Sequence, residues 1–531
     1  MTERPMRGRR GRERRVGERI VREYAERRSA DLALDERQAD LDRASAEAEV
    51  ELARERAGRP DRRPPRRRIE PGPRGARRIP DLAALPPLLA GTGAFEALRE
   101  RLGPAGEAPR TSGRHAGLVA VPHAAKTYLA AALVIGAGER LVWIARDAEI
   151  GDRVAEELGA WLGDPGAVAV LEPRTALAYE RSELVADETA ARVAALASWR
   201  AGIARILVAS VQALLQHTLA PDDLPKEPRT LRAGTRISLE PLVRELLDLG
   251  YVPAPEVAGR GEFARRGGIV DVFPPSSSLP VRIEFFGDDI DSLRAFDPTD
   301  QRSVGPLDSV AFLPASEFLL PRGGVAAIRA RLGRLADRLP ERLAGDLSRF
   351  EGADRISDDH SPRATRAMAI GDAAEVWAGP LAPSTALDHL DPDTLLVIDE
   401  PGDIADAADF LWRQADERRA ELEESGELPQ RWPSTYLSPR DWKGRLTSSR
   451  TLELTWESEA PGAMAGRGLS SGDVFGWREP ALPLERSARI GKAIERWRSE
   501  AATNGEEPPR IVITSDQAPR LAELLDEAGH P

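Results

Sequence analysis

Leu118-Val119-Ala120-Val121-Pro122-His123-Ala124-Ala125-Lys126-Thr127 carries an apolar strand into a short loop and out into a helix. The helical stretch continues from Thr127 through Ile135, and a second strand follows at Leu141-Val142-Trp143-Ile144-Ala145. The next helix has Val154, Leu158 and Leu162 spaced along one face. A third strand from Val168 to Leu171, a helix around Ala190 to Trp199 and a fourth strand from Ile206 to Ala209 continue the alternation. Strands separated by helices of this length predict an α/β fold with a parallel sheet covered on both faces. Far downstream, Leu395-Leu396-Val397-Ile398 has the same composition and ends in Asp399-Glu400. It is expected to return to that sheet, which makes the intervening chain an insertion.

The insertion has a different pattern. Arg266-Gly267-Gly268-Ile269-Val270-Asp271-Val272-Phe273-Pro274 and Val281-Arg282-Ile283-Glu284-Phe285-Phe286-Gly287-Asp288-Asp289 alternate apolar and polar residues across a Pro/Ser turn. This predicts antiparallel strands with one wet face. After Pro401 a charged amphipathic helix runs to about Ser425, and a Trp/Pro-rich stretch leads to a last strand at Ile511-Val512-Ile513-Thr514 and a helix from Leu521 to Leu525. The organisation read from these shifts is an extension over 1–79, a phosphate-loop-like α/β domain over 80–222 and 312–457, an inserted β domain over 223–311, and the start of a further α/β domain over 458–531. The chain stops at Pro531 just as that last unit would continue, which reads as a truncated gene.

Composition narrows the function. At 531 residues, 41% hydrophobic and 31% charged, the chain is a soluble globular protein of more than one core. A net charge of -12 argues against a general nucleic-acid coat. The absence of Cys excludes disulfides and thiolate zinc, and the six His lack metal spacing, so no metal site is expected. No apolar run reaches the ~20 residues that span a bilayer, and the Arg-rich start has no apolar segment behind it, so a cytoplasmic location is expected. The extension itself, with Arg clusters at Arg7 to Arg15 and Arg62 to Arg68, reads as disordered or loosely helical. A nucleic-acid-binding arm, a solvated tail and sequence upstream of the true start codon all fit it.

The strand-loop-helix at Ala120 to Thr127 stands where a Walker A phosphate loop would be. That loop needs Gly where this chain has Ala120 and Ala125, because it bends through conformations costly for a Cβ and lets backbone N–H groups approach phosphate closely. Pro122 also removes a donor. Lys126 and Thr127 remain, and Asp399-Glu400 stands where an acid pair would hold magnesium. These four are the remnants of a nucleotide site that is expected to be inactive, with weak anion binding at the helix N-terminus left open. An ordinary strand-to-helix turn with an exposed Lys fits the same residues, and no catalytic residue is assigned.

Gly261-Glu262-Phe263-Ala264-Arg265-Arg266-Gly267-Gly268-Ile269-Val270-Asp271-Val272-Phe273-Pro274, with Leu279 through Leu293, resembles the UvrB interaction domain shared by the excision nuclease subunit UvrB and the transcription-repair coupling factors. Phe296 to Ser303 and the segment from Leu171-Glu172-Pro173 to Tyr179 are closer to the coupling-factor version. UvrB itself keeps the Gly-rich loop and inserts an aromatic hairpin after the third strand. Here, past the Leu171 to Tyr179 segment, only Ala178 to Leu184 lies before the next helix, with no room for a hairpin and no cluster of Tyr to stack on bases.

The resemblance implies recruitment of UvrA in transcription-coupled nucleotide-excision repair, with contacts carried over to Arg266, Arg282 and Phe286. It implies RNA polymerase and double-stranded DNA as partners only through domains outside this chain. ATP and magnesium are implied only in the translocase motor of the full-length family, so no cofactor and no enzymatic activity are expected of this chain. Three bland readings stay open beside it. Arg282 and Glu284 share a strand face and could form a solvated pair, alternation read alone puts Phe286 in the core with Phe285 outward, and a fragment without an independent role fits the ending. The competing functional class is a UvrB-like ATP-dependent damage-loading subunit. No membrane partner is expected, and a monomer is the default.

Overall fold

A computed structural model of the protein describes residues 82–103, 114–321, 323–358 and 370–456, followed by 469–470, 475, 487–503, 522–523 and 525–526. The extension over 1–79 and the strand expected at Ile511 to Thr514 lie outside the described residues. All that is described belongs to one compact unit, Arg78–Pro531.

In chain order, helix α1 (Gly93–Leu102) precedes β1 (His115–Val119), α2 (His123–Ala137), β2 (Leu141–Ala145), α3 (Ala148–Leu162), β3 (Val168–Leu171), α4 (Ala186–Arg200), β4 (Ile206–Ser210) and the short β5 (His217–Thr218). Then come β6 (Arg229–Arg232), α5 (Leu239–Asp248), β7 (Val252–Pro253), β8 (Glu262–Arg266), β9 (Ile269–Val272), β10 (Val281–Phe286), β11 (Asp289–Phe296), β12 (Ser303–Pro306) and β13 (Ser309–Phe312). The chain returns through β14 (Ser384–Thr385), β15 (Leu395–Asp399), α6 (Pro401–Glu424), β16 (Arg450–Leu454) and β17 (Leu469–Ser470).

Seven strands form a parallel sheet in the order β17-β1-β16-β15-β2-β4-β3. The apolar runs have a direct packing reason. Val142 and Ile144 of β2, Leu207 and Ala209 of β4, and Leu396 and Ile398 of β15 face one core. Leu141, Trp143 and Ala145, Ile206 and Val208, and Leu395 and Val397 face the other. A strand covered on both sides needs apolar residues at every position. β15 does return to this sheet, with Leu395 opposite both Leu141 and Arg450. Between β3 and α4 no strand intervenes, and among the described residues no helix is long and apolar enough to cross a membrane.

The first strand differs from its sequence reading. It runs from His115 to Val119, because Ala116 and Gly117 pair with Leu452 and Glu453 of β16, and it ends where Ala120 turns to φ 56°. A ladder supplied from 336 residues away outweighs the weak strand preference of His-Ala-Gly.

The insertion is a six-stranded sheet in the order β12-β11-β10-β9-β8-β7, antiparallel except for β7 beside β8. Its ends, β6 and β13, pair antiparallel, so it leaves and rejoins the α/β domain on adjacent strands. Just past β13, Glu317 enters a buried ionic cluster that no local sequence pattern announces. Arg192 of α4 donates from Nε to both Glu317 oxygens at 2.9 Å, Arg174 reaches Glu317 at 3.2 Å and Glu375 at 2.5 Å, and Thr218 Oγ1 donates to Glu317 at 2.7 Å. Both guanidiniums and both carboxylates are at most 2% exposed, so each charge depends on the others for its solvation.

Candidate functional site

Register decides which side chains the inserted sheet displays. The ladders place Ala264, Asp271, Arg282 and Arg294 in one cross-strand row, and Arg266, Ile269, Glu284 and Ser292 in the next. Directly opposed residues point to the same face, and alternation along β10 adds Phe286 to the face that carries Arg282 and Glu284. The opposite face carries Phe263, Val270, Val272, Val281 and Ile283 into the core, with Phe285 packed against it. Arg266, Arg282 and Phe286 therefore share one side of one sheet.

Phe286 is 81% exposed, which overturns the alternation reading that placed it in the core and Phe285 outside. Counting from Val281 through Ile283 sends Phe285 inward. The register irregularity at Glu284/Phe285 adds its extra residue, Asp291, to β11 and leaves the alternation of β10 intact. Phe286 and Arg266 both sit at hairpin tips on the same end of the sheet, followed by Gly267 at φ 62° and Gly287 at φ 65°. A positive φ at the first turn position is what a two-residue hairpin needs, and Gly adopts it without strain.

Arg282 is held. Its Nε and Nη2 donate to the two oxygens of Asp271 at 2.7 and 2.8 Å, and its guanidinium lies 4.7 Å from the centre of the Phe296 ring. The Asp271 hydrogen bond is the main cause that raises the guanidinium above its ordinary pKa, against the effect of burial. The solvated Arg282–Glu284 pair is not formed: Glu284 accepts from Ser292 Oγ at 2.5 Å instead. Arg266 is exposed and donates from Nη2 to the Pro255 carbonyl at 2.9 Å. Asp271 is 2% exposed, and sequence reasoning missed it. An acid flanked by Val270 and Val272 in a strand was the available signal, because a buried carboxylate needs a partner on a neighbouring strand.

The phosphate-loop position is closed by its own residues. Lys126 is 2% exposed, and its Nζ donates to Asp399 Oδ1 at 2.6 Å and Glu400 Oε1 at 2.5 Å. The exposed Lys of the simple-turn reading is therefore overturned. Glu400 also accepts from Thr455 Oγ1 at 2.9 Å and from the Trp456 amide at 2.8 Å. Burial alone would raise the Glu400 carboxyl; the hydrogen bond and charge of Lys126, with the Trp456 and Thr455 bonds, outweigh it and hold the group below its usual range. Thr127 turns away to donate to Glu157 at 2.9 Å and accept from Trp161 at 3.2 Å. His123 at the start of α2 stacks on Trp456, with ring centres 4.7 Å apart. The fold thus brings all four sequence-predicted remnants near one strand end, and ties the cation to both acids.

Comparison with known proteins bears on the inserted sheet first. Residues 230–318, the stretch from β6 to just past Glu317, match a family model described as the UvrB interaction domain. The displayed face belongs to that match. Beyond the UvrB interaction domain, the chain is similar to the transcription-repair-coupling factors of Myxococcus xanthus, 30% identical over 389 residues and 67% of this chain, and of Bacillus subtilis, 30% over 275 residues and 49%. The factor of Mycobacterium tuberculosis is 35% identical over 240 residues, 44% of this chain. The chain spans 30%, 23% and 19% of the lengths of these three relatives.

Proposed function

We propose that this chain recruits UvrA in transcription-coupled nucleotide-excision repair, through the face of the UvrB interaction domain that carries Arg266, Arg282 and Phe286. The observation that carries the reading is their common display: an 81% exposed aromatic beside two guanidiniums on one sheet face. A large exposed aromatic flanked by Arg is the composition of a binding hot spot; the exposed Arg266 suits it because a planar guanidinium matches carboxylate geometry, whereas Arg282 already uses two donors on Asp271. Arg282 is already oriented by Asp271, so little of its rotamer freedom remains to be lost on binding.

Calorimetry with purified UvrA tests this. Arg266→Ala and Phe286→Ala are each expected to cost roughly 2 kcal/mol of affinity with an unchanged circular dichroism spectrum, and Arg282→Ala to cost as much while also lowering the unfolding midpoint, because it strands the buried Asp271. Wild-type affinity in all three would remove the assignment.

The same reading holds that this chain has no ATPase activity of its own. Its support is the closed Lys126–Asp399–Glu400 set, together with Ala120, Pro122 and Ala125 where the loop would need Gly and a donor. A phosphate would have to displace two carboxylates from Lys126, and magnesium would have to displace Lys126 from both acids. The competing reading, a UvrB-like ATP-dependent loader, requires both. Micromolar MgATP binding in a titration of the purified chain would revive it.

A further inference from the structure

The parallel sheet ends at β3, and among the described residues no strand lies on its outer edge. Beside that edge a groove of about 530 Å³ runs between β3 and α3. Ala155, Gly159, Pro165, Val168 and Val170 line it, with Glu156 at its rim. Two regular stripes build this groove. Asp152, Ala155, Glu156 and Gly159 follow the i, i+3, i+4, i+7 spacing of one helix face. Val168, Val170 and then Glu172 follow the alternation of one strand side.

The stripes converge on two acids. Asp152 and Glu172 interact directly, and neither is in a salt bridge among the described residues. Burial first, then the charge and hydrogen bond of Asp152, push the Glu172 carboxyl up, with Arg192 opposing. Arg192 lies close by, donating from Nη1 to the Glu172 backbone carbonyl, while its Nε is bound to Glu317. The edge strand itself, Val168-Ala169-Val170-Leu171, holds no charge and no Pro. Proteins ordinarily use such residues to block an open edge.

We propose that this edge is a docking site for an extended segment of a partner protein, which adds a strand beside β3, sets an apolar side chain into the groove and places a Lys or Arg against the Asp152–Glu172 pair. Charge complementarity selects this occupant. Strand addition supplies affinity through backbone hydrogen bonds, and the groove and the acid pair supply selectivity.

The test is an array of synthetic dodecapeptides of alternating Val and Thr, with Arg, Ser or Glu at each position in turn, probed with the full chain. Arg peptides are expected to bind, and Ser and Glu peptides to bind at least about tenfold more weakly. Asp152→Asn combined with Glu172→Gln should erase the preference for Arg, and Ala155→Arg should abolish binding by filling the groove. Circular dichroism and UvrA affinity serve as controls that each variant folds. The proposal is overturned if no peptide binds, if Glu peptides bind as well as Arg peptides, or if Ala155→Arg binds normally. It is also overturned if sedimentation shows a dimer that Ala155→Arg dissociates, because the occupant is then a second copy.

Discussion

At the scale of single residues, Lys126, Asp399 and Glu400 form a set in which one ammonium serves two carboxylates within 2.6 Å. Removing the cation leaves two acids facing each other in a partly buried space. Lys126→Met is therefore expected to destabilise the fold by roughly 3 kcal/mol at neutral pH, read from denaturant midpoints. The sign with pH follows from Glu400, whose folded pKa Lys126 holds below the unfolded value of about 4.3. That contribution is full above the unfolded value and is lost as pH falls through the folded one. The gap between wild type and Lys126→Met should narrow below about pH 4, and a gap that stays constant down to pH 3 would show that the ammonium acts by packing alone. Ala120 carries a different kind of cost, because its φ of 56° lies in the left-handed region. Ala120→Gly should raise stability by about 1 kcal/mol, since the strain removed exceeds the flexibility added to the unfolded chain.

At the scale of elements, the inserted sheet works because β9 and β10 are in register. That register puts Asp271 opposite Arg282, and the acid then fixes the guanidinium from both oxygens. Asp271→Ala keeps the strand but frees Arg282 to sample its rotamers. It is expected to lose about 1 kcal/mol of UvrA affinity, with little added loss when combined with Arg282→Ala. Full additivity in that double-mutant cycle would show that Asp271 acts on the fold and not through Arg282. The edge at β3 belongs to the same scale: its openness comes from the strand order, while the side chains that border it come from both α3 and β3.

At the scale of the whole molecule, the chain leaving the insertion re-enters the α/β domain through Glu317, at the Arg174–Arg192–Glu317–Glu375 cluster. Burial alone would raise the Glu317 carboxyl; the Arg192 and Arg174 charges, with hydrogen bonds from Thr218 and Arg192, hold it low instead. Glu317→Ala strands two buried guanidiniums against a single remaining acid, and a loss of about 3–5 kcal/mol is expected. Thermal unfolding monitored on both domains should shift together, because the cluster draws on α4, β5 and the chain just past β13. Separate transitions would show that the junction is not the common support.

The sequence by itself determined the layers. Strands buried on both faces must be apolar throughout, so β2, β4 and β15 were legible as a parallel sheet, and an alternating insert was legible as a half-wet antiparallel one. The departure at Ala120, Pro122 and Ala125 was legible too, because two Ala where a phosphate loop requires Gly, and a Pro that removes a donor, are local features. Only the tertiary structure decided what these residues do with one another. The partners of Lys126 lie more than 270 residues away, and Asp271 and Arg282 meet only through strand register. The quartet around Glu317 joins four separate segments, and β3 becomes an edge because the later strand β4 takes the place between it and β2. Local chemistry fixes period and burial, whereas pairing between distant charges depends on which segments the folded chain brings together.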